Sequence, residues 1–132
     1  MGDAITVKVG DEIPSFTRET GLANWNRYAA VNYEFVPIHM DDEAGKTAGY
    51  DTAFGMGALQ WSYLHNVLRE WLGDDARIVK LGCQFRAPNL KGQTLTAKGV
   101  VTEVRGNEID LEIWIEDQEG KKMAPGTATV AV

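Results

Sequence analysis

The sequence predicts an α+β fold in which helices pack on one face of an antiparallel sheet. In the first half of the chain, apolar residues recur at the three- and four-residue spacing of a helix, and in the second half they alternate with polar residues as in strands. The length of 132 residues corresponds to one domain, and we expect a single domain over residues 1–132.

The first half is predicted to contain several short elements. Alternating apolar residues favour an opening strand over residues 5–9, and a second strand is expected near residues 15–19. Apolar residues at helical spacing predict a helix over residues 22–32. Residues 33–42 show no clear period and contain a proline, so we expect an ordered loop there, followed by a short helix over residues 42–48.

One long helix is predicted over residues 54–72. Its apolar side chains return with the helical period, Asp51 or Thr52 can cap its N-terminus, and Gly73 marks its end. At about 1.5 Å per residue such a helix is roughly 28 Å long, which is enough to span a small sheet.

The second half is predicted to form the sheet. Strands are expected over residues 77–86, 94–104 and Glu108–Glu116, and the last of these alternates strictly between aliphatic and mostly polar residues. A Gly-Asn pair predicts a tight hairpin between the last two strands, and a closing strand is expected over residues 127–132.

Charge and cysteine content exclude several classes of function. The formal net charge of −6 opposes binding to nucleic acid or to an anionic membrane surface. Cys83 is the only cysteine, which excludes an intrachain disulfide and fits a reducing compartment. The most apolar long stretch is interrupted by polar and charged residues, so we expect a core helix and no membrane span. The first residues lack a secretory signal, so a cytoplasmic location is expected.

The residues best suited to chemistry lie in the loop before the long helix. Glu34 and His39 are five positions apart across Pro37, and a proline-stiffened loop can hold a carboxylate and an imidazole toward one pocket for acid and base catalysis. From spacing alone, a structural role for His39 is equally compatible. A half-buried helical position explains His65, and packing on an apolar strand explains Cys83.

The second candidate feature is the glycine pair at the predicted start of the long helix. Gly55 and Gly57 are unfavourable in a helix interior, which suggests close approach of a ligand or of another segment to the backbone. The N–H groups of a first helical turn lie at the positive end of the helix dipole and can stabilise a developing oxyanion. Tight packing of the helix on the sheet explains the glycines equally well.

Three sequence segments together resemble the MaoC-like dehydratases, the (R)-specific enoyl-thioester hydratases of the hotdog fold. The family motif Gly-Asp-x-Asn-Pro-(Ile/Leu)-His-x-Asp corresponds here to Tyr33-Glu34-Phe35-Val36-Pro37-Ile38-His39-Met40-Asp41. Gly57 follows His39 by eighteen positions, where the family uses a backbone N–H. The family's Arg-Phe-x-x-Pro and Gly-Asp-x-Leu segments correspond to Gln84-Phe85-Arg86-Ala87-Pro88 and Lys91-Gly92-Gln93-Thr94-Leu95. The resemblance covers nearly the whole chain.

The resemblance implies a fold, a reaction and a set of catalytic residues. The fold would be a hotdog, a curved antiparallel sheet wrapped around the long helix, paired as a homodimer or as a heterodimer with another hotdog subunit. The reaction would be reversible addition of water to an enoyl-CoA, without a metal or redox cofactor. Glu34 and His39 would activate water and deliver the α proton, and the Gly57 N–H would hold the thioester oxygen. Glu34 stands where the family normally has Asp, and Val36 replaces its usual Asn.

Two alternatives to a self-sufficient hydratase stay open at this point. One is a non-catalytic or half-site subunit of a heteromeric dehydratase, and the other is a hotdog acyl-CoA thioesterase. Looser motifs of this kind occur in hotdog dehydratases that act on bulky acyl groups, including steroid side-chain thioesters. Aromatic residues that would suit an acyl pocket, and that an ordinary core role explains equally well, are Trp25, Tyr28, Tyr33, Phe35 and Trp61. Candidate phosphate contacts for an acyl-CoA substrate are Arg86, Lys80, Lys91 and Lys98.

Overall fold

The computed structural model describes residues 6–132. The helices are α1 (Leu22–Asn32), α2 (Asp42–Thr47) and α3 (Gly57–Leu72), and a single 3-10 turn covers Pro37–His39. The strands are β1 (Phe16–Glu19), β2 (Arg77–Cys83), β3 (Thr94–Arg105), β4 (Glu108–Glu116) and β5 (Lys122–Ala131). Helices therefore dominate the first half of the chain and strands the second, as the sequence predicts.

The strands form one antiparallel sheet in the order β1-β3-β4-β5-β2, curled around α3. Aliphatic side chains on the inner face of β4 and on one side of α3 are fully buried and form the core: Leu64, Leu68, Leu111, Ile113 and Ile115. This packing explains why α3 is stable although glycine begins it, because most helical stability in proteins comes from burial of an apolar face.

Strand β4 and its hairpin match the prediction. The strand covers Glu108–Glu116, and its aliphatic residues are buried while their neighbours are not. The turn between β3 and β4 is formed by Gly106 and Asn107, with Gly106 at φ 60°. Alternation is a strong signal here because β4 lies between two other strands with one face against the helix.

The predicted opening strand over residues 5–9 is wrong where the structure describes it. Residue 5 lies outside the described residues, and residues 6–9 form no strand. The chain turns there, with the Lys8 N–H donating to the Asp11 carboxylate and Gly10 at φ 94°. Next to this turn, Gly10 donates to the Val101 oxygen and Asp11 accepts from the Val101 N–H, so the segment reaches the sheet as an irregular extension.

Helix α3 begins three residues later than predicted, and neither Asp51 nor Thr52 caps it. Met56 occupies the N-cap position. The preceding backbone is engaged elsewhere, because the Phe54 N–H donates to Ile38 O and the Gly55 N–H donates to Asn89 O. Gly57 is therefore the only glycine of the predicted pair inside the helix, while the end at Gly73 is confirmed.

The other elements differ from prediction mainly at their ends. Strand β2 stops at Cys83, three residues before the expected end, because Gln84 onward leaves the regular ladder. Strand β5 begins at Lys122, five residues earlier than expected, since Pro125 and Gly126 continue to pair instead of breaking the strand. Among residues 6–132 no helix is long and apolar enough to cross a membrane.

Candidate active site

Glu34 and His39 are brought together by the loop between α1 and α2. Helix α1 is capped at its C-terminus by Tyr33, which has a left-handed backbone at φ 55° and turns the chain so that the Glu34 N–H donates to Ala29 O. Pro37 opens the 3-10 turn, and its oxygen accepts from the N–H groups of Met40 and Asp41. The closest distance between His39 Nε2 and Glu34 Oε1 is 4.0 Å.

The orientation of the His39 ring is fixed by the backbone. Its Nδ1 lies 2.6 Å from the Phe54 carbonyl oxygen, which can only accept, so Nδ1 carries the proton and donates. In the neutral ring Nε2 is then an acceptor, and it faces the Glu34 carboxylate, which is another acceptor when ionised. The His39 side chain is 10% exposed and that of Glu34 is 33% exposed, so the pair lies at the boundary between core and solvent.

His39 and Gly57 line the same cavity, which has a volume of about 360 Å³. The other lining residues come from the segment before α3, from α3 itself and from the segment after β2: Tyr50, Phe54, Gly55, Gln60, Phe85, Arg86, Ala87 and Pro88. Glu34 reaches this site through His39 and is not one of the lining residues. The structure thus places the imidazole and the helix start at one cavity, with the carboxylate 4.0 Å from the imidazole.

Gly57 lies at the first position of α3, where backbone N–H groups lack intrahelical partners and the helix dipole is positive. A Cβ atom at Gly57 would lie 3.1 Å from the Phe85 ring. The glycine therefore allows Phe85 to pack over the helix start, and Gly57 also lines the cavity.

The aromatic residues that line the cavity are not those expected from the sequence. Trp25 is fully buried beneath Gly55, Tyr28 lines a separate groove beside α3, and Tyr33 and Phe35 pack edge to face on each other. Trp61 packs edge to face against His65 on an exposed part of α3. For the three helical residues, spacing identifies one face of a helix without showing which part of it borders a cavity. Tyr33 and Phe35 lie in a loop, where no period indicates the direction of a side chain.

The four basic residues considered as phosphate contacts also lie in different parts of the structure. Arg86 lines the cavity, whereas Lys91 pairs with Asp42, and Lys98 pairs with Glu116. Lys80 lies near Asp110 and contributes to lowering the pKa of that carboxyl. Arg86 is the one of the four predicted phosphate contacts that remains a candidate at this site.

His65 and Cys83 have the surroundings expected of structural residues. Burial lowers the pKa of His65, helped by the positive charge of Arg69, so its neutral form is favoured. Burial raises the pKa of the Cys83 thiol, which works against thiolate chemistry.

Sequence reasoning missed Gln60 and Asn89. Gln60 lines the cavity one helical turn after Gly57, and that spacing is a signal that could have identified it. Asn89 is 1% exposed and lies under the segment that leads into α3. Its place depends on a contact between distant parts of the chain, which no local pattern reveals.

Fold and site together define a hotdog-fold protein with an imidazole–carboxylate pair at the start of the central helix. The family profile described as MaoC like domain matches residues 6–110. The chain belongs to this family of hydratases and dehydratases.

Solved structures share this fold. An (R)-hydratase from A. caviae involved in PHA biosynthesis is 25% identical, with a TM-score of 0.89 over 98% of this chain and 99% of that chain. The R-hydratase PhaJ1 from Pseudomonas aeruginosa is 20% identical, with a TM-score of 0.88 over 96% of this chain and 82% of that chain.

A chain of the ChsH1-ChsH2 complex from Mycobacterium tuberculosis is 19% identical, with a TM-score of 0.88 over 96% of this chain and 99% of that chain. Both likenesses below 25% identity establish the fold alone. Comparison with curated proteins gives no match.

Proposed function

We propose that the protein is a hydro-lyase that adds water reversibly across the α,β double bond of an enoyl-CoA. The observation that carries this proposal is the orientation of His39, whose Nδ1 is held by Phe54 O while Nε2 faces Glu34 beside the cavity that Gly57 also lines. Membership of the MaoC-like family and the 25% identity with an (R)-hydratase support the same class of reaction.

The geometry suits a water molecule between the two side chains. A separation of 4.0 Å is too long for a direct hydrogen bond between His39 Nε2 and Glu34 Oε1. Water has two O–H donors and can bridge two acceptors at this distance with hydrogen bonds of about 2.8 Å each. Such a water is oriented and polarised by both groups, and its oxygen lone pairs remain free to attack carbon.

The reaction then needs no group beyond those of this chain and the substrate. The water oxygen bonds to the β carbon, one water proton passes to the Glu34–His39 pair, and the electrons of the double bond move toward the thioester oxygen. The Gly57 N–H at the positive end of α3 stabilises the resulting enolate. A proton returns from the pair to the α carbon, which completes the addition, and the reverse sequence is dehydration.

Glu34 can serve in place of the family's usual Asp because it is within water-bridging distance of His39. The extra methylene lengthens the side chain by roughly 1.5 Å, a single carbon–carbon bond. The carboxylate is 33% exposed, so its longer side chain can adjust toward His39 without disturbing the core.

The cavity supports a thioester with an apolar acyl group. Tyr50, Phe54 and Phe85 provide aromatic lining, and we assign Arg86 to a phosphate of the CoA moiety. A bulky acyl group, including a steroid side chain, is part of this proposal because the cavity opens to solvent beside the exposed ring of Phe85. The single cysteine fits a cytoplasmic setting for the reaction.

Isotope labelling tests the reaction class. The purified chain is incubated with crotonyl-CoA in H₂¹⁸O, and the products are analysed by mass spectrometry with an assay for free thiol. We expect 3-hydroxybutyryl-CoA with ¹⁸O at the β carbon and no release of CoA. Release of free CoA with ¹⁸O in the carboxylate would instead identify a thioesterase.

We further propose that the active form pairs this chain with another hotdog subunit, identical or different. Strand β2 is an edge strand of the sheet, and Val79 within it and Phe85 just after it are exposed. An edge strand offers unpaired backbone N–H and C=O groups with which another strand can pair. The structural neighbour described as a ChsH1-ChsH2 complex shows this fold in a complex of two named components. Activity that appears only after addition of a second hotdog protein would identify the half-site alternative.

A further inference from the structure

Residues 54–57, which lead into α3 and include its first residue, connect the two halves of the proposed active site. The Phe54 oxygen accepts the hydrogen bond from His39 Nδ1 at 2.6 Å, and Gly57 begins α3 at the cavity. The Phe54 N–H also donates to Ile38 O, in the turn that carries His39. A shift of this short segment would therefore move the imidazole and the helix N-terminus together.

Asn89 fixes this segment at Gly55. The Gly55 N–H donates to the Asn89 main-chain oxygen at 2.7 Å. The Gly55 α carbon also lies directly against two side chains, because an added Cβ would be 2.5 Å from Trp25 Nε1 and 2.7 Å from Asn89 Oδ1. The indole and the amide thus form a surface on which the Gly55 backbone rests without space for a methyl group.

The side chain of Asn89 is itself held by a buried network. Its Oδ1 accepts from Trp25 Nε1 at 3.1 Å, and its Nδ2 donates to Thr20 Oγ1 at 2.8 Å. Thr20 Oγ1 donates in turn to Gln93 O at 2.7 Å. Because the indole N–H can only donate, it fixes which end of the amide faces it.

The network lies in the core, where its geometry is tightly constrained. Trp25 is 0% exposed, Asn89 1% and Thr20 5%. Buried polar groups are costly unless all of them are paired, and a fully paired network holds its members rigidly. It connects α1, the end of β1 and the segment before β3 to one point of the active-site backbone.

We propose that Asn89 is a positioning residue for hydration, acting through Gly55 to fix the Phe54 oxygen that orients His39 and the Gly57 N–H at the cavity. This inference rests on the proposed hydratase function for its kinetic consequence. Its structural consequence, the orientation of the His39 ring, is independent of that function. The two can therefore be tested separately.

The kinetic test compares Asn89→Val with Ile109→Ala. Asn89→Val keeps the main-chain oxygen but removes the amide, which leaves the Trp25 indole N–H without its acceptor. Ile109→Ala is the matched control, because it opens a space in the sheet core at a residue that does not line the cavity. Hydration of crotonyl-CoA is followed for both at a temperature where circular dichroism shows them folded.

We expect kcat of Asn89→Val to fall at least about 10-fold with little change in KM, because a displacement of about 1 Å at catalytic groups can cost roughly 100-fold in rate. Ile109→Ala should keep kcat near the wild-type value despite its lower melting temperature. Wild-type kcat in Asn89→Val, or an equal loss in Ile109→Ala, would overturn the positioning role.

The structural test uses ¹⁵N NMR of the imidazoles, which are simple to assign because the chain has two histidines. In mildly alkaline solution His39 of the wild type and of Ile109→Ala should show protonation at Nδ1. In Asn89→Val this signal should broaden or move toward the mixture of tautomers found in free histidine. An unchanged His39 signal would refute the inference even if neither the wild type nor any variant turned over substrate.

Discussion

At the residue scale, the proposed chemistry depends on the carboxylate and imidazole that the loop before α2 holds 4.0 Å apart. Glu34 is partly exposed, and the buried His39 side chain makes one hydrogen bond, to the Phe54 carbonyl, and packs edge to face on the Phe54 ring without belonging to the aliphatic core. Their substitution should therefore affect turnover more than folding.

Substitutions of Glu34 separate the effect of the side chain's charge on turnover from the effect of its length. Glu34→Gln keeps the shape but removes the base, and we expect kcat to fall by about 100-fold or more, within the usual range for general acid–base groups. Glu34→Asp should retain or increase turnover of short enoyl-CoA substrates, because it restores the residue typical of the family. Steady-state hydration rates decide between these outcomes, and a larger loss in Glu34→Asp than in Glu34→Gln would contradict the assignment.

The sequence was sufficient to propose the Glu34–His39 pair but not the residues that hold it in position. Glu34 and His39 could be identified because a five-residue spacing across Pro37 is a local feature. Asn89, Trp25 and Thr20 meet through hydrogen bonds between residues far apart in the chain, so no local pattern relates them. The aromatic residues that line the cavity were missed because they too come from distant parts of the chain.

At the element scale, the start of α3 combines packing and function in one glycine. Gly57→Ala would place a methyl group 3.1 Å from the nearest atoms of the Phe85 ring, which is closer than an ordinary van der Waals contact. Phe85 is exposed and can yield, so the ring should be displaced at the cavity while the helix itself gains from alanine.

We therefore expect Gly57→Ala to keep or raise the melting temperature while kcat/KM for crotonyl-CoA falls about 10-fold or more, because the oxyanion site and its cover are disturbed. Thermal unfolding and hydration kinetics are measured on the same preparation. Parallel losses of stability and activity would indicate that Gly57 is needed for the fold alone.

The open edge of β2 makes a separate prediction about assembly. Val79 is exposed at the irregular position of β2, between two residues that pair with β5. Val79→Lys should weaken pairing with a second hotdog subunit and shift the chain toward monomer, because charge on an edge strand opposes strand addition.

Native mass spectrometry at several concentrations measures this shift, with Val9→Lys as the control because Val9 is exposed but lies outside the strands. We expect Val9→Lys to assemble as the wild type does. An unchanged oligomeric state in Val79→Lys would show that this edge is not the contact.

Element boundaries were predictable where periodicity alone decides them. Strand β4 was predicted residue for residue because its alternation matches a sheet with one buried face. The start of α3 was not, because the Gly55 N–H is taken by Asn89 O from another part of the fold. Gly126 likewise remains in β5 because it pairs with Cys83 of β2 and Ile113 of β4, and Pro125 remains there because it pairs with Trp114 of β4.

At the scale of the whole molecule, a carboxylate in the sheet is expected to contribute to acid sensitivity. The Arg105 guanidinium and then the Thr129 hydroxyl hold the pKa of Asp110 down to about 2. The unfolded value is about 3.9, so this group stabilises the folded state above about pH 4, and its contribution is lost as pH falls toward 2.

Urea unfolding as a function of pH tests this contribution. Asp110→Asn should lose less stability than the wild type between about pH 4 and about pH 2, because the titrating group is absent. Asp74→Asn, in the exposed turn after α3, should follow the wild type. If the free energy of unfolding fell equally for the wild type and Asp110→Asn over this pH range, the role of the Arg105–Asp110 pair would be contradicted.

The candidate active site exists only in the folded chain, because separate segments of the molecule form it. The sheet positions α3, and the loop after α1 brings Glu34 and His39 to the N-terminus of α3. Asn89 fixes the backbone that joins this loop to α3. The family resemblance anticipated this arrangement from short motifs, while the physical contacts that maintain it come from segments spread over the chain.

The most direct test of the central claim is the loss of enoyl absorbance when the purified chain meets short-chain, long-chain and ring-bearing enoyl-CoA substrates, with His39→Ala measured in parallel. We predict turnover of at least one substrate by the wild type and none above background by a folded His39→Ala. Equal turnover by both proteins would contradict the catalytic assignment of His39. If the folded wild type turned over none of the three substrates, this would contradict a self-sufficient hydratase and favour a subunit that needs a different partner.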